Sequence, residues 1–331
     1  MESHALSIIT ELSNLGYELV IFTKNHKPIP LVANFNVFSY STKWMPRIVE
    51  DCLFSQWLKH AKAKANIGTC IGFCRNTESD ILFCGGTHKG FAQSRNTHSL
   101  YDKVTIRFEH ESYQKAKFIL PASKFIAREL QSLYGVEKEK IVVAYPPVCS
   151  QKFRIFSDEE KRKARIALGL DPEKLVLLFP SASGHERKGL PFILSCLNGL
   201  RDIQLAVAGK PPKAQDSVIV SIGYQCDMSR AYNAADFTIL ASYYEPFGLV
   251  GVESVLCGTP VILADGIGCT EVLTQNACQT FSRNTPEELH SILANLKPRA
   301  ATSVSDIRYD LSPRSQARML TSLLLHLNTQ T

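Results

Sequence analysis

The sequence has no long apolar runs. Among its 331 residues, no uninterrupted apolar stretch approaches the roughly 18 residues that suggest a membrane-spanning helix. The first residues, Met-Glu-Ser-His, also lack the basic segment followed by an apolar segment that marks a secretory signal. We therefore expect a protein that stays in the cytoplasm.

Paired cysteine spacings are absent as well. The ten cysteines lie mostly in apolar runs, such as the one that ends at Cys84. The closest pair, Cys70 and Cys74, has no second Cys or His pair at zinc-finger spacing. We interpret the cysteines as buried thiols in a reducing compartment, with no metal site among them.

Strong charge of either sign is also missing. The formal net charge is +6, and residues 1–150 hold 18 Lys and Arg against 13 Asp and Glu, compared with 19 against 18 in the remainder. This surplus is too weak and diffuse to indicate nucleic-acid binding. It is enough to attract a phosphorylated substrate or an anionic membrane surface, although a solvated surface explains it equally simply.

What the sequence does contain is a regular alternation of β-rich runs and amphipathic stretches, which is typical of parallel sheets flanked by helices. The runs are nearly continuously apolar, as expected for strands covered on both faces. The predicted strands are residues 18–23, 67–73, 81–85, 117–122 and 141–145 in the first half, and residues 175–180, 204–208, 218–222, 237–241 and 261–264 in the second.

The two halves are separated by Pro146-Pro147-Val148 and a polar run, so we place a domain boundary near residues 148–156. Capping-box spacing predicts helices that begin after Ser157, reaching about residue 168, and after Thr285. The predicted domains are residues 1–150 and 151–312. Residues 313–331 are predicted to form an amphipathic helix that packs back toward the first domain.

The first half begins with a predicted helix, residues 2–15, whereas a doubly wound sheet normally begins with a strand and a turn that feeds such a helix. The first strand of this domain is therefore expected to be missing.

The segment of residues 237–262 carries the strongest chemical signal. It has the pattern of a strand, a loop, a helix, a glycine stop and a second strand. In the loop, Phe247 and Gly248 let the backbone approach a ligand, and the N–H groups of Gly248, Leu249 and Val250 would be unpaired donors at a helix N-terminus. The sequence therefore predicts an anion site here.

Two carboxylates flank this loop. Glu253 lies about one turn into the helix, where it could accept hydrogen bonds from the vicinal hydroxyls of a ribose. Glu245 lies at the carboxyl end of the strand, where α/β sheets bind ligands. Taken alone, either glutamate also fits a solvated surface loop, but the pair around a Pro-Phe-Gly-Leu-Val loop is more specific.

With these residues the sequence resembles glycosyltransferase family 4, retaining enzymes of the GT-B fold whose C-terminal domain carries a Glu-x7-Glu motif in this setting. The agreement extends to residues 231–236 and 258–262, and the pattern is closest to lipopolysaccharide-core glucosyltransferases. The resemblance implies an α/β protein with two Rossmann-like, doubly wound domains that face each other across a cleft. It places the acceptor on residues 1–150 and the donor on residues 151–312.

The resemblance also implies a phosphate site. Arg187 and Lys188 match the Arg-Lys-Gly region whose cations contact the donor diphosphate, and cations suit a leaving group whose negative charge grows. Many family members have a further arginine where this chain has Ala182 or Ser183, so Lys210 is the third candidate cation.

Three further residues match less specific family positions. Gly223 and Tyr224 fall where the family holds the nucleotide base, although a plain turn would look the same. His88 follows a predicted strand, where family members often have a His or Asp near the transferred sugar. A solvated loop histidine is the simpler alternative.

The implied activity is transfer of a hexose, with retention, from a nucleoside diphosphate sugar such as UDP-glucose to a glycan or glycolipid in lipopolysaccharide or cell-surface polysaccharide synthesis. Glu245, Arg187, Lys188 and His88 would carry catalysis. No Asp-x-Asp occurs, so we expect no metal and no cofactor. We expect no nucleic-acid partner, and peripheral contact with an anionic membrane at its inner face would fit the basic first half.

Alternatives remain open at this point. A nucleotide-sugar-binding protein with impaired catalysis would fit a chain that lacks the N-terminal glycine loop of the family. A nicotinamide-dependent oxidoreductase is disfavoured because no Gly-x-Gly-x-x-Gly follows a strand. An enzyme with the same fold but different chemistry, such as a sugar-nucleotide epimerase, is also compatible.

Overall fold

The computed structural model describes residues 2–24, 35–182, 184–213 and 216–329. The chain divides into two compact units. Unit 1 comprises Met1–Pro147 and Leu311–Thr331, and unit 2 comprises Val148–Asp310. Within the described residues, no helix has both the length and the apolar character needed to cross a membrane.

Unit 1 contains two groups of parallel strands and the helices that cover them. β1 pairs with β2, and β4 lies between β3 and β5. Its elements are α1 (Glu2–Asn14), β1 (Val20–Lys24), β2 (Asn36–Tyr40), α2 (Arg47–Lys64), β3 (Ile71–Gly72), β4 (Ile81–Cys84), α3 (His88–Ser94), α4 (Leu100–Lys115), β5 (Phe118–Pro121), α5 (Lys124–Tyr134) and α11 (Pro313–Thr329).

The core of unit 1 includes both ends of the chain. Ile8 and Leu12 of α1 and Leu320 of α11 are buried with Ile81 and Phe83 of β4. The C-terminal helix therefore contributes its apolar face to the same core as the N-terminal helix.

Unit 2 contains a six-stranded, fully parallel sheet and the helices that accompany it. Its strand order, β8-β7-β6-β9-β10-β11, is the 3-2-1-4-5-6 order of a Rossmann fold. The elements are α6 (Asp158–Ala167), β6 (Leu175–Ser181), α7 (Leu190–Leu197), β7 (Ile203–Gly209), β8 (Ile219–Gly223), α8 (Met228–Ala234), β9 (Phe237–Leu240), α9 (Leu249–Leu256), β10 (Val261–Ala264), β11 (Cys278–Phe281) and α10 (Pro286–Ala294).

The strand order sets where a ligand can bind in unit 2. Successive strands run outward from β6 to β7 and β8, and the chain then returns to add β9 on the other side of β6. Loops that leave the carboxyl ends of β6 and β9 diverge at this switch point, and the crevice there is the usual ligand site of open α/β sheets.

Local sequence explains several helix ends. Ser157 and Glu160 form the predicted capping box at α6, with each side chain accepting from the other residue's backbone N–H. The second predicted box is wrong, because the Thr285 side chain caps nothing and the Glu288 carboxylate accepts from Ser282 N instead. At that helix the first turn begins with Pro286, which already lacks an N–H to satisfy.

Two strand predictions need correction, and two strands were missed. Residues 141–145 run beside β5 but form only one isolated bridge, Ile119 with Ile141, because Pro121 of β5 has no N–H with which to continue the ladder. The predicted strand 67–73 is reduced to β3, and the backbone of Cys70 bonds to Asp80 instead. The strands β2 and β11 were not predicted from the sequence.

Candidate active site

Backbone hydrogen bonds connect the loops that follow β6 and β9 at the switch point of unit 2. The backbone N–H of Ala241 donates to Lys188 O at 3.2 Å, and that of Tyr243 donates to Arg187 O at 3.1 Å. These two bonds place Arg187 and Lys188 beside the segment that carries Glu245. Residues that are nearly 60 positions apart in sequence thus form one site.

Arg187 is held loosely. Its Nη1 lies 4.0 Å from Glu245 Oε2 and 3.5 Å from the carbonyl oxygen of Tyr244, and its side chain is 42% exposed. Glu245 is less exposed, and its Oε2 also accepts a hydrogen bond from Ser242 Oγ at 3.2 Å. Long contacts of this kind leave most of the guanidinium donors of Arg187 available to an anion.

Lys188 is more deeply placed. Burial lowers the pKa of its ammonium group, and the nearby carboxylates of Glu245 and Glu253 oppose that effect. Among the described residues, the ammonium group makes one hydrogen bond, a long one of 3.4 Å from Nζ to Pro180 O. A half-buried ammonium with donors to spare is stabilised by an incoming anion.

The loop from Pro246 to Gly248 leads into α9. Gly248 has φ +86°, and a Cβ on it would lie 3.1 Å from Ile267 and 3.2 Å from Glu245, so a larger residue would be strained there. The first N–H groups of α9, including those of Leu249 and Val250, have no partner within the helix. Phe247 is buried, and Val250 packs against the core of unit 2.

Glu253 points its carboxylate toward a buried tyrosine. Tyr232 is fully buried, and its hydroxyl donates to Glu253 Oε2 at 2.8 Å. Burial raises the pKa of Glu253, and the charges of Lys188 and Lys152 partly oppose the shift. One oxygen of Glu253 is therefore fixed by the protein, and the carboxylate is oriented before any ligand arrives.

The remaining predicted donor residues of unit 2 lie at neighbouring strand ends. Lys210 follows β7, and its carbonyl oxygen is bonded by the ring of His185 at 2.8 Å. Gly223 ends β8 with φ +67°, and Tyr224 after it is 76% exposed. All of these positions lie at the carboxyl edge of the one sheet.

His88 belongs to unit 1, at the first position of α3. Its backbone N–H donates to Glu109 Oε2 at 2.8 Å, and its Nε2 lies 2.8 Å from Asp102 Oδ1. Burial raises the pKa of Glu109, which also accepts from the Tyr134 hydroxyl. The sequence prediction identified His88 but none of these partners.

Two further contacts near the site were not predicted from the sequence. One is the contact of Tyr232 with Glu253. Tyr232 lies within residues 231–236, and the agreement of that segment with the family was the signal that could have identified it. Arg283, after β11, stacks on Tyr243 with its guanidinium carbon 3.5 Å from the ring centroid, and no sequence signal pointed to it.

Within the described ranges, no group of three or more His, Cys, Asp and Glu side chains is arranged to hold a metal ion.

Solved structures with this architecture include several glycosyltransferases. The chain aligns with WaaG, a glycosyltransferase involved in lipopolysaccharide biosynthesis, with a TM-score of 0.71 and 17% identity, over 97% of this chain and 91% of that one. It aligns with HepE of Anabaena, in complex with UDP and glucose, with a TM-score of 0.67 and 14% identity, over 98% and 95%. The fold is that of the GT-B glycosyltransferases.

Sequence comparison gives the family. The model for Glycosyltransferase Family 4 matches residues 1–152, and the model for Glycosyl transferases group 1 matches residues 174–296. A probable transglycosylase of Burkholderia thailandensis is 35% identical over 297 residues, which cover 88% of this chain and 81% of that protein. The chain belongs to glycosyltransferase family 4 and is a glycosyltransferase enzyme of the GT-B type.

Proposed function

We propose that this enzyme transfers a hexose, with retention of anomeric configuration, from a nucleoside diphosphate sugar such as UDP-glucose to a glycan or glycolipid. One observation carries the proposal: Arg187, Lys188, Glu245 and Glu253 converge at the switch point of unit 2, beside the N-terminus of α9. The complex of HepE with UDP and glucose supports a donor of this class.

The diphosphate would be bound by the two cations and the helix. Arg187 and Lys188 have donors to spare, and the first N–H groups of α9 add positive potential. As the glycosidic bond breaks, negative charge grows on the leaving phosphate, and donors that are already in place stabilise it. Lys210 would assist from the neighbouring strand. We propose that no metal ion or cofactor is needed.

The nucleoside and sugar would be bound by the glutamates. Glu253, with one oxygen held by Tyr232, would accept hydrogen bonds from the ribose hydroxyls, and Glu245 would orient the hydroxyls of the hexose. Tyr224 follows Gly223, and its exposed ring would stack on the base.

Retention requires attack on the face from which the phosphate departs. The bond between sugar C1 and the phosphate oxygen breaks, a bond from C1 to the acceptor oxygen forms, and the acceptor proton passes to the departing phosphate oxygen. No protein base is needed for this transfer. The protein would supply positioning and charge stabilisation. His88 would contact the transferred sugar.

Two observations support a membrane-associated glycan or glycolipid as the acceptor. WaaG takes part in lipopolysaccharide biosynthesis, and the surplus of basic residues in the first half suits a phosphorylated or membrane-borne acceptor. We propose a cytoplasmic enzyme that contacts the anionic inner face of the membrane peripherally, with a role in cell-surface glycan synthesis.

A thermal-shift screen of UDP-, GDP- and ADP-hexoses tests the donor. A cognate donor stabilises the folded protein by mass action. The variant Arg187→Gln should bind that donor and its nucleoside diphosphate roughly 10- to 100-fold more weakly, the usual contribution of a charged hydrogen bond. Binding of the free nucleoside should not change.

The matched control is Arg162→Gln, which removes a positive charge from the exposed face of α6 in the same unit. It should bind as the wild type does. An equal loss of donor affinity in both variants would show that the effect comes from net charge alone. Unchanged diphosphate affinity in Arg187→Gln would contradict the phosphate site.

A further inference from the structure

We propose that Asp102 is a positioning residue that fixes the tautomer of His88, so that Nδ1 faces the substrate as a hydrogen-bond acceptor. The inference rests on the proposed function in one respect, namely that His88 contacts substrate. Asp102 itself belongs to none of the motifs identified in the sequence.

The backbone of His88 is held first. Thr87 caps α3 through its hydroxyl, which accepts from Gly90 N, and the N–H of His88 is bound by the buried carboxylate of Glu109. This turn directly follows β4, at the carboxyl edge where parallel sheets bind ligands. The imidazole therefore projects from a fixed turn.

Asp102 is held equally firmly. It occupies the third position of α4, where its Oδ2 accepts from Ser99 N at 2.8 Å and from Ser99 Oγ at 2.7 Å. Its other oxygen, Oδ1, lies 2.8 Å from His88 Nε2. The bonds from Ser99, and then the bond from His88, lower the pKa of Asp102 to about 2. The carboxylate is thus ionised at any physiological pH.

An ionised carboxylate only accepts hydrogen bonds, so Nε2 must carry the hydrogen in this pair. In the neutral ring Nδ1 then has a free lone pair. Among the described residues, no side chain or backbone group bonds to Nδ1. Across the described part of the chain, the buried side-chain nitrogens that lack a partner belong to Arg75, His185 and Arg283, so Nδ1 of His88 is not a buried, unpaired atom. Nδ1 is the ring atom available to a substrate hydroxyl.

The variant Asp102→Asn tests this assignment. The Asn oxygen can replace Oδ2 toward Ser99, which turns its NH₂ group toward His88. The ring must then accept at Nε2 and carry its hydrogen on Nδ1. ¹⁵N NMR of histidine-labelled protein distinguishes the two tautomers, and His88→Gln identifies the signal among the nine histidines. We expect the tautomer to reverse in Asp102→Asn.

The kinetic expectation follows from the same change. With Nδ1 converted to a donor, kcat should fall roughly 10- to 100-fold, the effect of one lost substrate hydrogen bond, while donor KM stays within about twofold. The control is Ser99→Ala, which removes the cap of α4 but leaves the contact of Asp102 with His88. It should lose stability yet keep the wild-type tautomer and kcat.

Three results would overturn the proposal. The first is an unchanged tautomer in Asp102→Asn. The second is a reversed tautomer with wild-type kcat. Equal kinetic losses in Asp102→Asn and Ser99→Ala would show a purely structural role and would also overturn it. If no donor is turned over by the wild type, the proposed function fails, and the NMR result still decides whether Asp102 sets the tautomer.

Discussion

Gly268 lies directly beneath the loop that joins β9 to α9, and its replacement by alanine should disturb that loop selectively. A Cβ at this position would lie 2.1 Å from Pro246 O and 2.9 Å from the Cα of Phe247. Both of these are backbone atoms, so no side-chain rotation can relieve the clash. The backbone of Gly268 is not in a left-handed conformation, and the predicted cost therefore comes from contact alone.

The magnitude follows from the contacts. Non-bonded carbon atoms are in best contact at roughly 3.5–4.0 Å, so the loop must move by about 1 Å or more. Overpacking of this kind costs about 1–3 kcal/mol. Two bonds flank the clash, Gly268 N to Glu245 O at 3.1 Å and Cys269 N to Phe247 O at 2.6 Å, and weakening them adds about 1 kcal/mol. We expect a total destabilisation of about 2–4 kcal/mol.

Activity should fall further than stability alone requires. A 1 Å displacement of positioning groups reduces turnover by roughly 100-fold, and Glu245 is attached to the displaced segment. The assays are thermal unfolding, with an expected decrease in Tm of about 10 °C for a domain of this size, and nucleotide release from the donor at a temperature where both proteins are folded.

Gly266→Ala is the matched control, because a Cβ there meets nothing within 4 Å, only two residues away. It should stay within about 0.5 kcal/mol of the wild type and keep full activity. If Gly268→Ala were as stable and as active as Gly266→Ala, the close packing of Gly268 under the loop would be refuted.

Two further predictions concern unit 2. Because burial raises the pKa of Glu253, the folded protein keeps this proton to higher pH than the unfolded chain, and stability falls as pH rises through the folded value. Glu253→Gln should therefore be about 1 kcal/mol more stable than the wild type at pH 8, should lose that advantage toward pH 4, and should bind the donor more weakly. Urea denaturation at both pH values measures the stability, and calorimetry measures donor binding. A lower stability of the variant at pH 8 would contradict the prediction. Ser157→Ala removes the capping box of α6 and should cost about 1 kcal/mol in urea denaturation with unchanged nucleotide release, whereas altered release would link α6 to the site.

The sheet of unit 2 was largely predictable because its central strands are apolar on both faces. The strands β6 to β10 are found within two residues of their predicted ends. β11 was missed because Cys-Gln-Thr-Phe has apolar residues only at its ends and lies at the sheet edge. β2 was missed because most of its residues are exposed and its polar positions interrupt the apolar pattern.

The residues of the candidate site were predictable where one continuous segment contains them. Glu245, Gly248 and Glu253 lie in a single strand-loop-helix pattern, and Arg187 with Lys188 follows another strand. The partners that orient these residues come from distant segments. The hydroxyl of Tyr232 approaches Glu253 from α8, and Asp102 approaches His88 from α4. Such pairs depend on how helices pack, which local patterns do not encode.

The central claim is hexose transfer with retention from a nucleoside diphosphate donor, and ¹H NMR of the reaction tests it most directly. The donor is the α-linked UDP-, GDP- or ADP-hexose that gives the largest thermal shift, and we expect release of its nucleoside diphosphate. The first sugar product, whether glycoside or free hexose, should have the α configuration. A first product of β configuration, or tight donor binding without any release of nucleotide, would contradict retaining transfer by this enzyme.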